Sequence, residues 1–210
     1  MPGYLAANER SIHPSFIPVS YPRRHHVLEI TQRSCCAHLD PNTASSGPTL
    51  EAAMSIPSLP ITLKPDLTGR EAIADTVYRA VLSFDLPDEA LFKSSLTSDA
   101  VLELNGTVMN GLDAITTQCY DPVSKLDTTH LVTNMRINIL EQDVKAEVTC
   151  SALAQHYRAG EGMKPDTASL LAGTLYWLDL IKDHEDGLWK IKHWKLKSTW
   201  GQGDWGVFTK

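Results

Sequence analysis

The sequence predicts an α+β fold, a cone-shaped barrel in which three N-terminal helices pack on a curved, mainly antiparallel sheet. Three observations lead to this prediction. Apolar residues recur at helical spacing just after residue 69. Four long segments rich in strand-forming residues then follow one another, separated by turn sequences. Because the helices precede this run of strands, they are expected on one face of the sheet.

The first third of the 210-residue chain differs from the rest. Nine of the 12 prolines and none of the five tryptophans precede Gly69, and the net charge of −6 lies entirely after it. We predict a disordered or poorly ordered tail over residues 1–65 and a folded domain over residues 66–205. Within the tail, Met54 is a candidate for the true start codon, and residues 56–63 are a candidate arm on the domain.

Composition argues against several classes of partner. An acidic chain lacks the clustered basic surface that nucleic-acid binding needs, and its one basic run is predicted to be a solvated strand face. That run consists of Lys190, Lys192, Lys195 and Lys197. The sequence contains no stretch of about 18 apolar residues, so no membrane span is predicted. No secretory signal is visible, and a cytoplasmic location is expected.

The cysteines are predicted to be free thiols in a reducing compartment. Cys35 and Cys36 are adjacent, while Cys119 and Cys150 stand alone, and no pair has the spacing of a zinc site. We therefore predict neither a metal nor another cofactor.

The first helix is predicted to begin at a capping box, with Thr68 as the cap and Glu71 reaching back. It runs to about Phe84, and its predicted buried face comprises Ile73, Val77, Tyr78, Val81, Leu82 and Phe84. Pro87 ends the helix. Asp88 can cap a short second helix carrying Leu91, Phe92 and Leu96, and a third follows Asn110-Gly111 through about Cys119.

A short strand is predicted at residues 101–104, and the long strands at residues 129–140, 145–158, 169–182 and 188–199. Residues 200–205 are predicted not to continue the last strand. Trp177, Trp189 and Trp194 are expected in the core or in a dimer interface. The second long strand places small residues on one face, so an apolar ligand pocket is expected there. These residues are Ala146, Cys150, Ala152 and Ala154.

Three polar residues occupy positions where the pattern expects apolar ones. Asp85 ends the first helix, His130 begins the first long strand, and His156 shares the small-residue face of the next strand. The two histidines are nearly equidistant from the turn between their strands, so they are expected close together. A carboxylate can orient an imidazole that takes a proton near neutral pH, and a second histidine can return that proton.

Three short motifs resemble the SnoaL-like branch of the nuclear transport factor two-like superfamily. They are Phe84-Asp85-Leu86-Pro87-Asp88, Thr128-Thr129-His130 and Gly187-Leu188-Trp189-Lys190-Ile191. Within that superfamily, Asp85, His130 and His156 match the acid-base residues of the scytalone dehydratases. The resemblance implies a cofactor-independent dehydratase, isomerase or cyclase, and it extends over about residues 66–205.

The resemblance also shows a difference. Scytalone dehydratases have a tyrosine before the helix aspartate and another on the first short strand, which polarise the substrate carbonyl through water. Here Phe84 stands at the first position, and the short strand has no tyrosine. We therefore predict other contacts with the substrate, namely Tyr78, Phe84, Tyr120, Asn134, Tyr176 and His193.

We predict that the protein acts on a small, apolar polyketide- or terpenoid-like secondary metabolite through acid-base chemistry by Asp85, His130 and His156, without a cofactor. Two alternatives remain open. The same fold can serve as a non-catalytic ligand-binding or dimerisation module. It can also be a hydrolase that activates water with His130 and Asp85. A homodimer is expected in each case.

Overall fold

Helices and a hairpin precede the long strands. The computed structural model of the chain describes residue 56 and residues 58–141 and 144–209. The first elements are α1 (Gly69–Asp85), α2 (Glu89–Ser94), β1 (Leu96–Leu104) and β2 (Thr107–Asn110). A helical segment follows, made of α3 (Leu112–Ile115), a π-helical stretch (Thr116–Tyr120) and α4 (Asp121–Val123).

Four long strands and a short turn complete the domain. They are β3 (Asp127–Leu140), β4 (Lys145–Tyr157), β5 (Ser169–Lys182), β6 (Trp189–Gly203) and a C-terminal 3-10 turn (Trp205–Phe208). The sheet has six strands in the order β2-β1-β6-β5-β4-β3. Its pairings are antiparallel except that of β1 with β6, which is parallel. The prediction of an α+β fold with a mainly antiparallel sheet is confirmed.

α1 contributes the helical side of the core. Ile73, Val77, Val81 and Phe84 are buried at the predicted spacing. Tyr78 and Leu82 were expected on the same face and are instead 49% and 44% exposed. The buried face of α1 also includes Thr76, Ala80 and Ser83. These smaller residues take the part of the buried face that the prediction gave to Tyr78 and Leu82.

The capping prediction for α1 is wrong, whereas that for α2 is confirmed. Thr68 is the N-cap residue of α1, but its side chain makes no capping hydrogen bond, and its carbonyl accepts from the backbone N–H of Glu71 instead. The next residue, Gly69, turns the chain through a left-handed conformation with φ of 52°. Asp88 caps α2 by accepting from the Leu91 N–H at 2.9 Å.

Strand boundaries differ from the prediction in β1 and β6. Leu96, expected in the second helix, begins β1. Residues 200–203, expected beyond the last strand, continue β6 to Gly203. Gly201 and Gly203 allow this extension because a side chain at Gly201 would meet the Trp205 ring, and one at Gly203 would overlap the Ser169 carbonyl.

Of the three tryptophans expected in the core or an interface, Trp189 and Trp194 are buried in the core, and Trp177 lies on the outward face of the sheet. The basic run on β6 also faces outward, and Lys190, Lys192 and Lys195 pair with acidic neighbours. Lys190 contacts Asp183 and Asp186, and Lys195 contacts Glu103 at 2.9 Å.

The predicted tail through residue 55, with Met54, Cys35 and Cys36, lies outside the described residues. At the end of the candidate arm, residues 61–63 line a hollow beside α1 and the β5–β6 turn, while Ile56 is exposed. Cys119 and Cys150 are free thiols. No helix in the described part of the chain is long and apolar enough to cross a membrane. The predicted dimer stays a prediction.

A buried arginine ties α1 to the end of α2 and to the start of β6. Arg79 contacts Asp75 through Nε at 2.8 Å and donates to the carbonyls of Ser94 and Trp189. Because these contacts bridge three separate elements, Arg79 holds α1 against the sheet.

We expect Arg79→Met to lower the free energy of unfolding by roughly 3 to 5 kcal/mol, since Asp75 and two carbonyls would lose their buried partner. Arg70→Met, an exposed position of the same helix, is the matched control and should change stability by less than about 0.5 kcal/mol. Urea unfolding followed by circular dichroism measures both. Equal stability of the two variants would contradict this role of Arg79.

Candidate active site

A cavity of about 350 Å³ lies between the inward face of the sheet and the helical segment. Ala154 and Ala172 lie side by side on β4 and β5 and leave the space open, as the small-residue pattern of β4 predicted. Its exposed lining residues mark the mouth and come from four places, the β1–β2 turn, the π-helical stretch, α4 and the C-terminal turn.

Asp85 and His130 form a hydrogen-bonded pair beside this cavity. Nδ1 of His130 lies 2.7 Å from Oδ1 of Asp85, and the His130 backbone N–H donates to Oδ2 at 2.8 Å. The Thr128 hydroxyl donates to Oδ1 at 2.7 Å. Since an ionised carboxylate only accepts, Nδ1 carries the proton in the neutral ring, and Nε2 keeps its lone pair. His130 lines the cavity, while Asp85 lies behind it.

The surroundings of Asp85 keep it ionised. Burial by itself would raise the pKa of this carboxyl group, but the hydrogen bonds from the His130 ring and backbone, together with that from Thr128, hold its pKa below the ordinary value. A carboxylate at the C-terminal end of a helix also opposes the helix dipole. The three donors from β3 offset both costs.

His156 lies next to His130 without a carboxylate of its own. The two rings meet edge-on with centroids 5.5 Å apart, and Phe208 packs against His156 at 4.9 Å. Nδ1 of His156 is buried and has no hydrogen-bond partner among the residues that the structure describes. Burial, and then the charge of His130, lower the pKa of His156 to about 4. The ring is therefore uncharged near neutral pH.

The structure brings together two of the six predicted substrate contacts at the cavity. Phe84 packs on His130 with centroids 5.3 Å apart, and Tyr176 lines the wall formed by β5. Tyr120 lies behind Phe84, with ring centroids 5.7 Å apart. Tyr78 lies elsewhere because it faces solvent on α1.

Asn134 and His193 also lie away from the cavity, and in both cases a β-bulge explains the error. The β3–β4 register shifts between Thr133 and Arg136, where Asn134 has a φ of 53° and is exposed. The β5–β6 register shifts so that Lys192 is an extra residue, and His193 packs against Trp177 on the outward face. Each bulge reverses the side to which the following residues point.

Sequence reasoning missed the residues that close the cavity from the C-terminal side. Trp205 and Phe208 line it, although they follow the last strand. Two aromatic residues directly after a glycine-rich stretch are the sequence signal that could have indicated a contact with the cavity. Thr128 is not among the predicted site residues, yet it lies two residues before His130 on the same strand and contacts Asp85.

Among the described residues, no three His, Cys, Asp or Glu side chains are arranged to hold a metal ion. Of the residues around the cavity, His130 and His156 are the two that carry an imidazole ring, the side chain most often used for proton transfer. Cys119 also reaches the cavity, but burial raises the pKa of its thiol to about 12. The arrangement can therefore accept a proton at His130 and offer an uncharged imidazole beside it.

Comparison with known proteins places this architecture in a family. Residues 65–195 match the model of the SnoaL-like domain. The chain belongs to the SnoaL-like domain family. A relative from Penicillium crustosum, named terrestric acid biosynthesis cluster protein E, is 63% identical over 157 residues, which cover 75% of this chain and all of the relative.

Solved structures of other proteins share the fold. A scytalone dehydratase candidate from Novosphingobium aromaticivorans superposes with a TM-score of 0.56 at 19% identity, over 64% of this chain and 87% of that chain. The hexachlorocyclohexane dehydrochlorinase LinA-type3 from Novosphingobium barchaimii superposes with a TM-score of 0.52 at 20% identity, over 65% and 90% of the two chains. At these identities the likeness concerns the fold of this SnoaL-like chain.

The low pKa of His156 predicts a pH dependence of stability. In the unfolded chain a histidine gains its proton near pH 6.5, whereas in the folded protein His156 does so near pH 4. The unfolded state therefore binds more protons between these values, and the contribution of His156 to stability falls as the pH drops from about 6.5 to 4.

We expect His156→Leu to lose less stability than the wild type between pH 7 and pH 5, measured by urea unfolding at each pH. His184→Leu, at an exposed position of the β5–β6 turn, is the control and should keep the wild-type difference. An identical pH dependence of all three proteins would show that His156 is not held uncharged.

Proposed function

We propose that the protein is an enzyme of secondary metabolism that removes a proton from a small, largely apolar substrate and thereby drives a dehydration, an isomerisation or a cyclisation. One observation carries the proposal. His130 reaches an apolar cavity with Nε2 available, while an ionised carboxylate holds Nδ1. The three reactions share this first step, so the same residues serve each of them.

His130 is the general base of the proposed reaction. Its Nε2 takes a proton from the carbon next to a carbonyl group or from a hydroxyl group of the substrate. The ring then carries a positive charge beside the Asp85 carboxylate, 2.7 Å away, which stabilises it. Asp85 is a positioning residue that fixes the tautomer and the orientation of the ring.

His156 has the role of a neutral hydrogen-bonding partner of the departing or migrating group. In a dehydration, the C–H bond breaks toward His130, the C–O bond breaks, and the departing hydroxyl group leaves as water with the proton that His130 took. His156 holds the departing oxygen or passes the proton between them. No electrons are gained or lost overall, so this reaction consumes no redox partner and needs no cofactor.

The proposed shape of the site favours this chemistry. We infer that the sheet and the three helical segments enclose a cone, closed in part by Trp205 and Phe208. An apolar site that excludes water strengthens the electrostatic effect of Asp85 on the His130 ring. It also suits a polyketide- or terpenoid-like molecule, which has few charged groups.

Support for secondary metabolism comes from the relative in Penicillium crustosum. Its name places it in a biosynthetic cluster for terrestric acid, and 63% identity over its whole length makes a shared class of substrate a reasonable inference. The match of Asp85, His130 and His156 to the scytalone dehydratase pattern points to the same type of chemistry.

We expect His130→Ala and Asp85→Asn each to lower turnover at least about a hundred-fold, because general acid-base catalysis contributes about that much or more. The substrate is obtained by deleting the gene in the organism that encodes it and isolating the compound that accumulates. Conversion by the purified protein is followed by mass spectrometry. Loss of the mass of one water molecule indicates dehydration, and an unchanged mass indicates isomerisation or cyclisation.

His184→Ala and Asp179→Asn, both away from the cavity, are the matched controls and should keep wild-type turnover. Circular dichroism checks that all four variants fold. Wild-type turnover in both His130→Ala and Asp85→Asn would refute the proposal. Tight binding of the accumulated compound without conversion by the wild type would favour a non-catalytic ligand-binding module instead.

A further inference from the structure

A second polar group lines the cavity at a distance from the two histidines. Ser198 lies on β6, and His130 lies on β3, so three inter-strand spacings separate them, roughly 14 Å along the sheet. The bulge at Lys192 turns Trp194, Leu196 and Ser198 inward, whereas an unbroken strand would turn His193 inward. The cavity thus has a polar group on β6 in addition to the histidines on β3 and β4.

Asn105 holds the Ser198 side chain in place. The Asn105 amide donates to Oγ of Ser198 at 3.1 Å and accepts from the Ser198 backbone N–H at 2.8 Å. Oγ of Thr174 lies 3.5 Å from Oγ of Ser198, which is too long for a strong bond. Because Asn105 fills an acceptor position of the Ser198 hydroxyl, the hydroxyl proton can be directed toward a ligand.

Asn105 itself is fixed by the turn between β1 and β2. It adopts a left-handed conformation with φ of 51°, and its backbone N–H donates to the Leu196 carbonyl at 3.0 Å. Asparagine is one of the few residues that tolerate this conformation. The turn therefore presents its amide to Ser198 in a defined orientation.

The remaining lining of the cavity is uncharged. None of the described residues that line it is Lys, Arg, Asp or Glu. A carboxylate or a phosphate entering the cavity would lose hydration without meeting a cation, which is costly. A neutral oxygen that accepts a hydrogen bond finds a donor at Ser198, whereas Nε2 of neutral His130 can only accept.

We propose that Ser198, positioned by Asn105, is a specificity-determining contact that selects uncharged substrates carrying a carbonyl or ether oxygen remote from the atom deprotonated by His130. The inference rests on the proposed function for the identity of the reacting atom. The contact itself can be measured by binding alone. Ser198 touches the substrate, and Asn105 acts through Ser198.

The test compares two probes that differ in one carbonyl group, 1-tetralone and the hydrocarbon tetralin, on the full chain at pH 8. Binding is measured through tryptophan fluorescence, because Trp194 and Trp205 line the cavity. We expect Ser198→Ala to weaken 1-tetralone binding about five-fold, the usual effect of one lost neutral hydrogen bond, and to leave tetralin binding unchanged.

Ser198→Thr, which keeps the hydroxyl group, should bind 1-tetralone like the wild type. Asn105→Gly, which keeps the left-handed turn but removes the amide, should show the same ketone-specific weakening as Ser198→Ala. Ser151→Ala, away from the cavity on β4, is the matched control and should bind both probes like the wild type. These variants separate a positioning role of Asn105 from a general loss of folding.

Three outcomes would overturn the inference. They are unchanged 1-tetralone binding in Ser198→Ala, equal weakening of both probes, and a ketone-specific loss that appears in His156→Leu but not in Ser198→Ala. Failure of either probe to bind the wild type would also overturn it. Since no turnover is measured, inactivity of the wild type would refute the proposed function without affecting this result.

Discussion

The contact between Asp85 and His130 is the constraint on which the site depends. It joins the last residue of α1 to the beginning of β3, and three hydrogen bonds from β3 converge on one carboxylate. Without those donors, a buried anion at the negative end of a helix dipole would be unfavourable. With them, the helix end is fixed against the sheet and the His130 ring is oriented toward the cavity. The same bonds therefore serve folding and the proposed chemistry.

The two histidines differ because their surroundings differ. His130 has a carboxylate on one side and an aromatic ring, Phe84, on the other. His156 has Phe208 and the His130 ring as neighbours, and burial lowers its pKa to about 4. In the proposed reaction, His130 takes the proton and the uncharged His156 assists its return.

Much of the fold could be predicted from the sequence, because its elements follow simple periodicities. α1 and the four long strands show their buried faces directly, and equal arm lengths on β3 and β4 placed His130 near His156. The errors concentrate where the alternation of a strand is interrupted. Bulges at Asn134 and Lys192 reverse the facing of later residues. An asparagine tolerates the left-handed conformation of the first bulge, whereas Lys192 gives no distinct local sequence signal. The capping prediction for Thr68 was also wrong, because side-chain capping depends on the backbone conformation at Gly69.

The distribution of charge completes the physical account of the cavity. On β6 the lysines point outward, where Lys190 meets Asp183, and the residues of the same strand that line the cavity are neutral. Asp85 stands behind the His130 ring and does not reach the cavity wall. In the proposed reaction, a substrate contacts His130, which the carboxylate orients, without contacting the carboxylate itself. Because none of the described residues that line the cavity is Lys or Arg, the arrangement proposed to remove a proton at His130 would also favour neutral molecules, and the proposed hydrogen bond of Ser198 would orient them within the cavity.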